Sequence, residues 1–164
     1  YCFWTGEKTI GDIQGVTETE AGFMDGKEVV RFKYNPAIIS YEDVIKKARK
    51  SKCADSAYSD DSKEQKIATK ITGQISKATK KYRSDKDVKY YISQSKSRYL
   101  PMTNYQSQKI NIALSKGQII EDFLSPRQQK ALKSILQGKA AHSELAYKEK
   151  FTKAWWDLES ELNS

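Results

Sequence analysis

The 164-residue sequence predicts an α+β fold, a mixed or antiparallel sheet with helices packed over it. Three observations predict it. Two stretches of alternating apolar and polar residues flank the pair Asp25-Gly26; a capped amphipathic pattern follows them from residue 41; and a short helical pattern precedes them.

Taken in order, Tyr1-Cys2-Phe3-Trp4 reads as the end of a buried strand, and residues 7–13 as a short helix stopped by Gly15. Residues 16–23 alternate in part, as a strand does, and Asp25-Gly26 is a tight-turn signal. Residues 28–34 alternate more clearly and close at Asn35-Pro36, which completes a hairpin. Ser40 is a natural N-cap with Asp43 three residues on, a variant of the capping box. Tyr41, Val44, Ile45 and Ala48 then share one helical face, with Lys46, Lys47 and Lys50 largely off it. Ile67, Ile71 and Ile75 predict a thin amphipathic helix within residues 59–81, and Val88, Tyr90, Tyr91 and Ile92 a further strand over 87–93. A loop at Leu100-Pro101 leads to a helix over 105–114, and Ser125-Pro126 starts another by the N-cap and N1 preferences. Residues 143–162 read as a helix docking by Phe151, Trp155 and Trp156. The expected organisation is one domain, residues 1–139, with a helical extension, 140–164, packed on it.

Composition narrows the function classes. A hydrophobic fraction of 38% against 30% charged residues allows a modest core and excludes whole-chain disorder. No apolar run approaches the roughly 18 residues that a membrane span requires, so no membrane partner is expected. One histidine and two distant cysteines argue against an all-protein Cys/His zinc site, and no metal is expected. A single bridge, Cys2–Cys53, is the most the cysteines allow, so the compartment stays open. The net charge of +8 sits in the middle: residues 1–36 carry −2, 140–164 carry −2, and 37–139 carry +12. The basic runs over 46–52 and 77–83 read as solvated helix faces, and His142 as a solvated side chain.

Cys2, between a strand end and a helix start, stands where backbone N–H groups favour a thiolate. Phe3 and Trp4 beside it suit an apolar pocket for a soft, uncharged group; a merely buried cysteine among aromatics is the plainer alternative.

An ordered series of short motifs bears on this choice. Cys2-Phe3-Trp4-Thr5-Gly6-Glu7 is followed by Gly15-Val16, Gly22-Phe23-Met24-Asp25-Gly26, Glu28-Val29-Val30, Tyr34-Asn35-Pro36 and Ile39-Ser40-Tyr41-Glu42. The series resembles peptide methionine sulfoxide reductase of the A type, whose pattern runs Gly-Cys-Phe-Trp, Gly-Tyr-Ala-Gly-Gly, His-Ala-Glu-Val-Val, Tyr-Asp-Pro and Ile-Ser-Tyr-Glu. The match covers residues 1–52, and Tyr105-Gln106 echoes the family's later Tyr-His-Gln.

The resemblance implies a fold with a ferredoxin-like split βαβ core and a thiol mechanism. Cys2 would attack the sulfoxide sulfur and Glu28 would protonate the departing oxygen, from a carboxyl group buried beside aromatic surface. Phe3, Trp4, Phe23 and Tyr105 would line the substrate pocket. No bound cofactor is implied; thioredoxin or another thiol would act as external reductant on a monomer whose substrate is methionine sulfoxide, free or in an oxidised peptide. Cys53, standing where the family's His-Asp-Pro segment has its aspartate, is a candidate resolving thiol. The departures are as specific. Tyr1 replaces a glycine, Phe23 a hydroxyl-bearing tyrosine, and Gln106 a histidine. The Asp-x-Gly-x-Gln-Tyr segment is missing, Asp55 and Tyr58 being the nearest material at the wrong spacing. Losing one oxyanion donor costs about 10²–10³ in rate. Two other expectations stand beside the reductase. One is a non-catalytic relative that binds a small apolar group. The other, less favoured, is a basic nucleic-acid-binding module using residues 46–99 with stacking tyrosines.

Overall fold

In the computed structural model, Asp25 and Gly26 take φ of 52° and 75°. Positive φ at both turn positions matches the twist of the strands they join. Those strands are β1 (Val16–Met24) and β2 (Lys27–Tyr34), antiparallel, with Phe23 opposite Glu28, Ala21 opposite Val30 and Thr19 opposite Phe32. By the two-residue pleat these side chains share one face of the sheet. A third strand, β3 (Arg83–Ser84), joins the other edge of β1, giving the order β2-β1-β3. Its approach requires glycine at position 22: a Cβ there would lie 2.5 Å from the Arg83 carbonyl oxygen and 2.5 Å from the Tyr82 hydroxyl.

The structure describes residues 2–74, 81–86, 89–139 and 145–163. The chain divides into two compact units, Tyr1–Val88 and Lys89–Ser164. Residues 140–164, set apart as an extension in the sequence reading, fall within the second. Among the described residues there are seven α-helices and one three-stranded antiparallel sheet, an α+β architecture. None of those helices is long and apolar enough to cross a membrane.

In the first unit the sheet carries α1 (Phe3–Gly11), α2 (Tyr41–Lys50) and α3 (Ser62–Thr72). Ser40 caps α2 by accepting the Asp43 N–H, and Tyr41, Val44, Ile45 and Ala48 are the buried face, as the sequence predicts. Val44 and Ala48 close on Ile10, Val16, Val30 and Phe32, while Tyr41 and Ile45 pack with Ala57 and Ala68. Helix α3 is shorter than expected because Asp61 caps its start, through the Lys63 and Glu64 N–H groups, and Gly73 (φ 73°) stops it. Ile75 lies outside the described residues, as does His142. The opening of the chain departs from expectation: Phe3 and Trp4 are helical, Cys2 keeps an extended backbone, and Tyr1 lies outside the described residues.

The second unit is built from α4 (Tyr90–Ser93), α5 (Asn104–Ser115), α6 (Pro126–Leu136) and α7 (Phe151–Leu162) around Ile92, Leu100, Ile110, Ile135 and Leu158. Where a strand was expected over 87–93, Tyr90–Ser93 form the helical turn α4, and residues 87 and 88, Val88 among them, lie outside the described residues. The buried Asn111 side chain of α5 accepts the Tyr91 and Ile92 N–H groups at 3.0 and 3.3 Å, a remote cap that local periodicity does not reveal. Capping boxes start α5 (Thr103, Gln106) and α6 (Ser125, Gln128), and the two glutamines bond each other. Of the two C-terminal tryptophans, Trp155 is buried under the Arg127 guanidinium, but Trp156 is 79% exposed.

Candidate functional site

The chemistry-bearing residues of the first unit gather where α1 begins. Cys2 is the N-cap of α1, with φ −73° and ψ 119°, and its carbonyl oxygen accepts the Thr5 and Gly6 N–H groups at 3.1 Å each. The Phe3 N–H donates to Glu28 Oε2 at 3.1 Å. An anionic side chain is the favoured partner for a helix N-terminus. The hairpin delivers it there, because Glu28 stands just past the turn, opposite Phe23. Glu28 is thus held on the amide that joins Cys2 to Phe3. Both Cys2 and Glu28 are exposed, which corrects the expectation of a Glu28 carboxyl buried among aromatics: Phe23 and Phe3 pack tilted against each other and leave the carboxyl exposed.

Phe3 is buried, its ring 5.4 Å from that of Trp4 and 5.2 Å from that of Phe23. The Arg83 guanidinium covers Phe23 at 4.7 Å, and the Trp4 indole N–H donates to Asp85 Oδ2 at 3.1 Å. Three of the four expected pocket residues are therefore together. The fourth, Tyr105, belongs to the second unit, 55% exposed on the first turn of α5 with the Lys109 ammonium 5.4 Å from its ring.

Between the helices and the sheet of this unit lies a cavity of about 730 Å³. Phe3, Ile10, Val30 and Phe32 supply apolar lining, and Glu28 and Cys53 stand in its wall. Cys2 and Trp4 are not part of that wall. Two residues that spacing had set aside, Asp55 and Tyr58, are part of it, so the chain brings a phenol to the cavity that Glu28 borders. They lie in the short loop after α2, where Ser56 Oγ is 3.3 Å from the Tyr58 hydroxyl. Cys53 is half-buried, its thiol 3.2 Å from the Ser51 carbonyl oxygen, and Cys2 and Cys53 are not joined in a disulfide. On the edge of the sheet the Tyr82 hydroxyl lies 3.0 Å from the Ala21 carbonyl oxygen, and burial, then the Glu20 charge, push its pKa up, so it stays a neutral donor. Among the described residues no three His, Cys, Asp or Glu side chains come together as a metal site.

No protein-family model matches the chain, and no solved structure does. The peptide methionine sulfoxide reductases MsrA of Methanococcus maripaludis strains C5 and C6 are each 36% identical to it over 61 residues, which takes in 27% of this chain and 39% of the relative. The chain thus spans 39% of the length of the curated relatives it matches.

Proposed function

We propose that the first unit is a divergent methionine sulfoxide reductase, and that residues 1–52 carry the sheet-and-helix core of that family. The observation that carries the reading is the Glu28 carboxylate held on the Phe3 N–H, the amide that follows Cys2, at 3.1 Å. The partial likeness to the MsrA proteins supports it.

In this reading the Cys2 thiolate attacks the sulfoxide sulfur. The oxygen takes a proton from Glu28 and passes to the cysteine, methionine leaves as the thioether, and Cys2 is left as a sulfenic acid. The substrate sulfur gains two electrons and the cysteine sulfur loses them. A second thiol, Cys53 or an external one, then forms a disulfide with Cys2 and releases water; thioredoxin or a small dithiol reduces the disulfide. A sulfoxide resting on Phe3 and Trp4 covers the Glu28 carboxyl that is open in the free protein, and that covering supplies the desolvation a general acid needs. Tyr58 offers a hydroxyl in the cavity that Glu28 borders, where Phe23 has none.

The test is reduction of methionine-S-sulfoxide by the purified chain with dithiothreitol, wild type beside Cys2→Ser. Turnover that disappears in Cys2→Ser is expected; a folded, fully reduced protein that turns nothing over sinks the reading. One observation favours a second function, non-catalytic binding of a small apolar group. The cavity is lined by Phe3, Glu28 and Cys53 and not by Cys2. Ligand binding that persists in Cys2→Ser without turnover in the wild type would establish it.

A further inference from the structure

We propose that the short strand β3 and the residue after it act as a clamp on the aromatic wall beside Cys2, with Asp85 as the positioning residue for Trp4 and Arg83 for Phe23; the functional part of this inference rests on the reductase reading. The three aromatic rings form a continuous row, Phe23 tilted against Phe3 at 5.2 Å and Phe3 stacked on Trp4 at 5.4 Å. The segment 83–85 holds that row at both ends. At one end the Arg83 guanidinium lies 4.7 Å above Phe23, on the electron-rich face of the ring. At the other the Asp85 carboxylate takes the Trp4 indole N–H at 3.1 Å, a charge-assisted bond between residues 81 positions apart.

The clamp itself is anchored. The Asp85 N–H donates to the Ala21 carbonyl at 3.0 Å, and β3 pairs with β1 at Gly22 and Phe23, so the carboxylate is referred to the same strand that carries Phe23. Trp4 sits in the first turn of α1, two residues from Cys2. An indole whose one donor is tied cannot turn about its side-chain torsions without breaking that bond. Removing the acceptor frees the ring to rotate while the helix beneath it stays in place. What the clamp sets is therefore the shape of the surface against which a sulfoxide's S-alkyl group packs, hence the discrimination between a methyl and a longer group. A single methylene in such a pocket is worth about 10–200-fold in selectivity.

The experiment reads the clamp and its consequence separately. The three indole N–H resonances are recorded by ¹⁵N-edited NMR on the full chain, with that of Trp4 assigned by its loss in Trp4→Phe. Asp85→Ala is expected to move the Trp4 resonance and speed its hydrogen exchange about tenfold, leaving Trp155 and Trp156 unmoved. Asp85→Asn, which keeps an acceptor oxygen, is expected to hold it. Turnover of methionine-S-sulfoxide and ethionine-S-sulfoxide with dithiothreitol is then compared. The methyl preference is expected to fall about fivefold in Asp85→Ala and to return in Asp85→Asn. A Trp4 resonance that does not respond to Asp85→Ala overturns the clamp. A resonance that moves with an unchanged methyl-to-ethyl ratio overturns its role in positioning the wall. A wild type that reduces neither sulfoxide overturns the reductase reading and this role with it, and the NMR arm still decides the clamp.

Discussion

Phe3 and Glu28 are 25 positions apart in the sequence and 3.1 Å apart at the amide, and that one contact assigns Glu28 two duties that a substitution can separate. It completes the N-terminus of α1, and in the proposed chemistry it delivers a proton. Glu28→Gln keeps an oxygen for the Phe3 N–H and loses the acid. The expected outcome is a folded protein whose kcat falls about 10²–10⁴-fold, read by sulfoxide turnover beside a circular dichroism spectrum. A retained rate would remove Glu28 from the chemistry and leave it a cap. Residue type and order marked Cys2 and Glu28 as candidates. Their exposure was not legible, because it depends on where Phe3 and Phe23 turn.

At the scale of elements, the second unit is organised by its helix starts. Gln128 is buried; its Nε2 donates to the Pro101 carbonyl at 2.8 Å and its Oε1 accepts the Ser125 N–H at 2.9 Å and the Gln106 side-chain N–H at 2.9 Å. The segments around Leu100-Pro101 and Ser125-Pro126, motif-like in sequence but without evident chemistry, are thus joined by a structural lock between two capping boxes. Gln128→Ala strands those partners and is expected to lower stability by about 2–4 kcal/mol in a denaturant titration, while exposed Lys130→Ala changes it by under about 0.5 kcal/mol. The hairpin, α2, α5 and α6 were legible because each is punctuated locally, by Asp25-Gly26, Ser40, Leu100-Pro101 and Ser125-Pro126. Helix α4 was not, because four residues with a cap supplied by Asn111 leave no period to read.

Across the whole molecule, each unit has its own core, Val44 and Ile45 with their neighbours in the first and Ile110 and Ile135 in the second, so two unfolding transitions are expected. Alkali acts on the first. Tyr34 donates to Glu64 Oε1 at 2.8 Å, and that bond, with burial, pushes its pKa up from 10.0 to about 12; burial foremost pushes Tyr41 up to about 12 as well. A raised folded-state pKa means the neutral phenol is the form that folding favours. Its contribution is complete below the unfolded value of 10.0 and is lost as pH rises through about 12. Calorimetry across that window is expected to show the first unit's transition falling steadily as pH rises. A transition that stays level between those values would mean these phenols do not anchor α3 to the sheet.

By itself the sequence determined the α+β class, the hairpin and the capped face of α2, because turn chemistry and periodicity are local properties. Tertiary structure alone decided the rest. It placed Glu28 on the α1 terminus, brought Asp55 and Tyr58 into the wall of the same cavity, and set Arg83 and Asp85 against the aromatic row. It put Tyr105 in a separate unit. These are relations between side chains far apart in sequence, and their distances follow from strand register and from a glycine at position 22 that lets β3 approach. No window of the chain contains both partners of such a pair, so no local pattern encodes it.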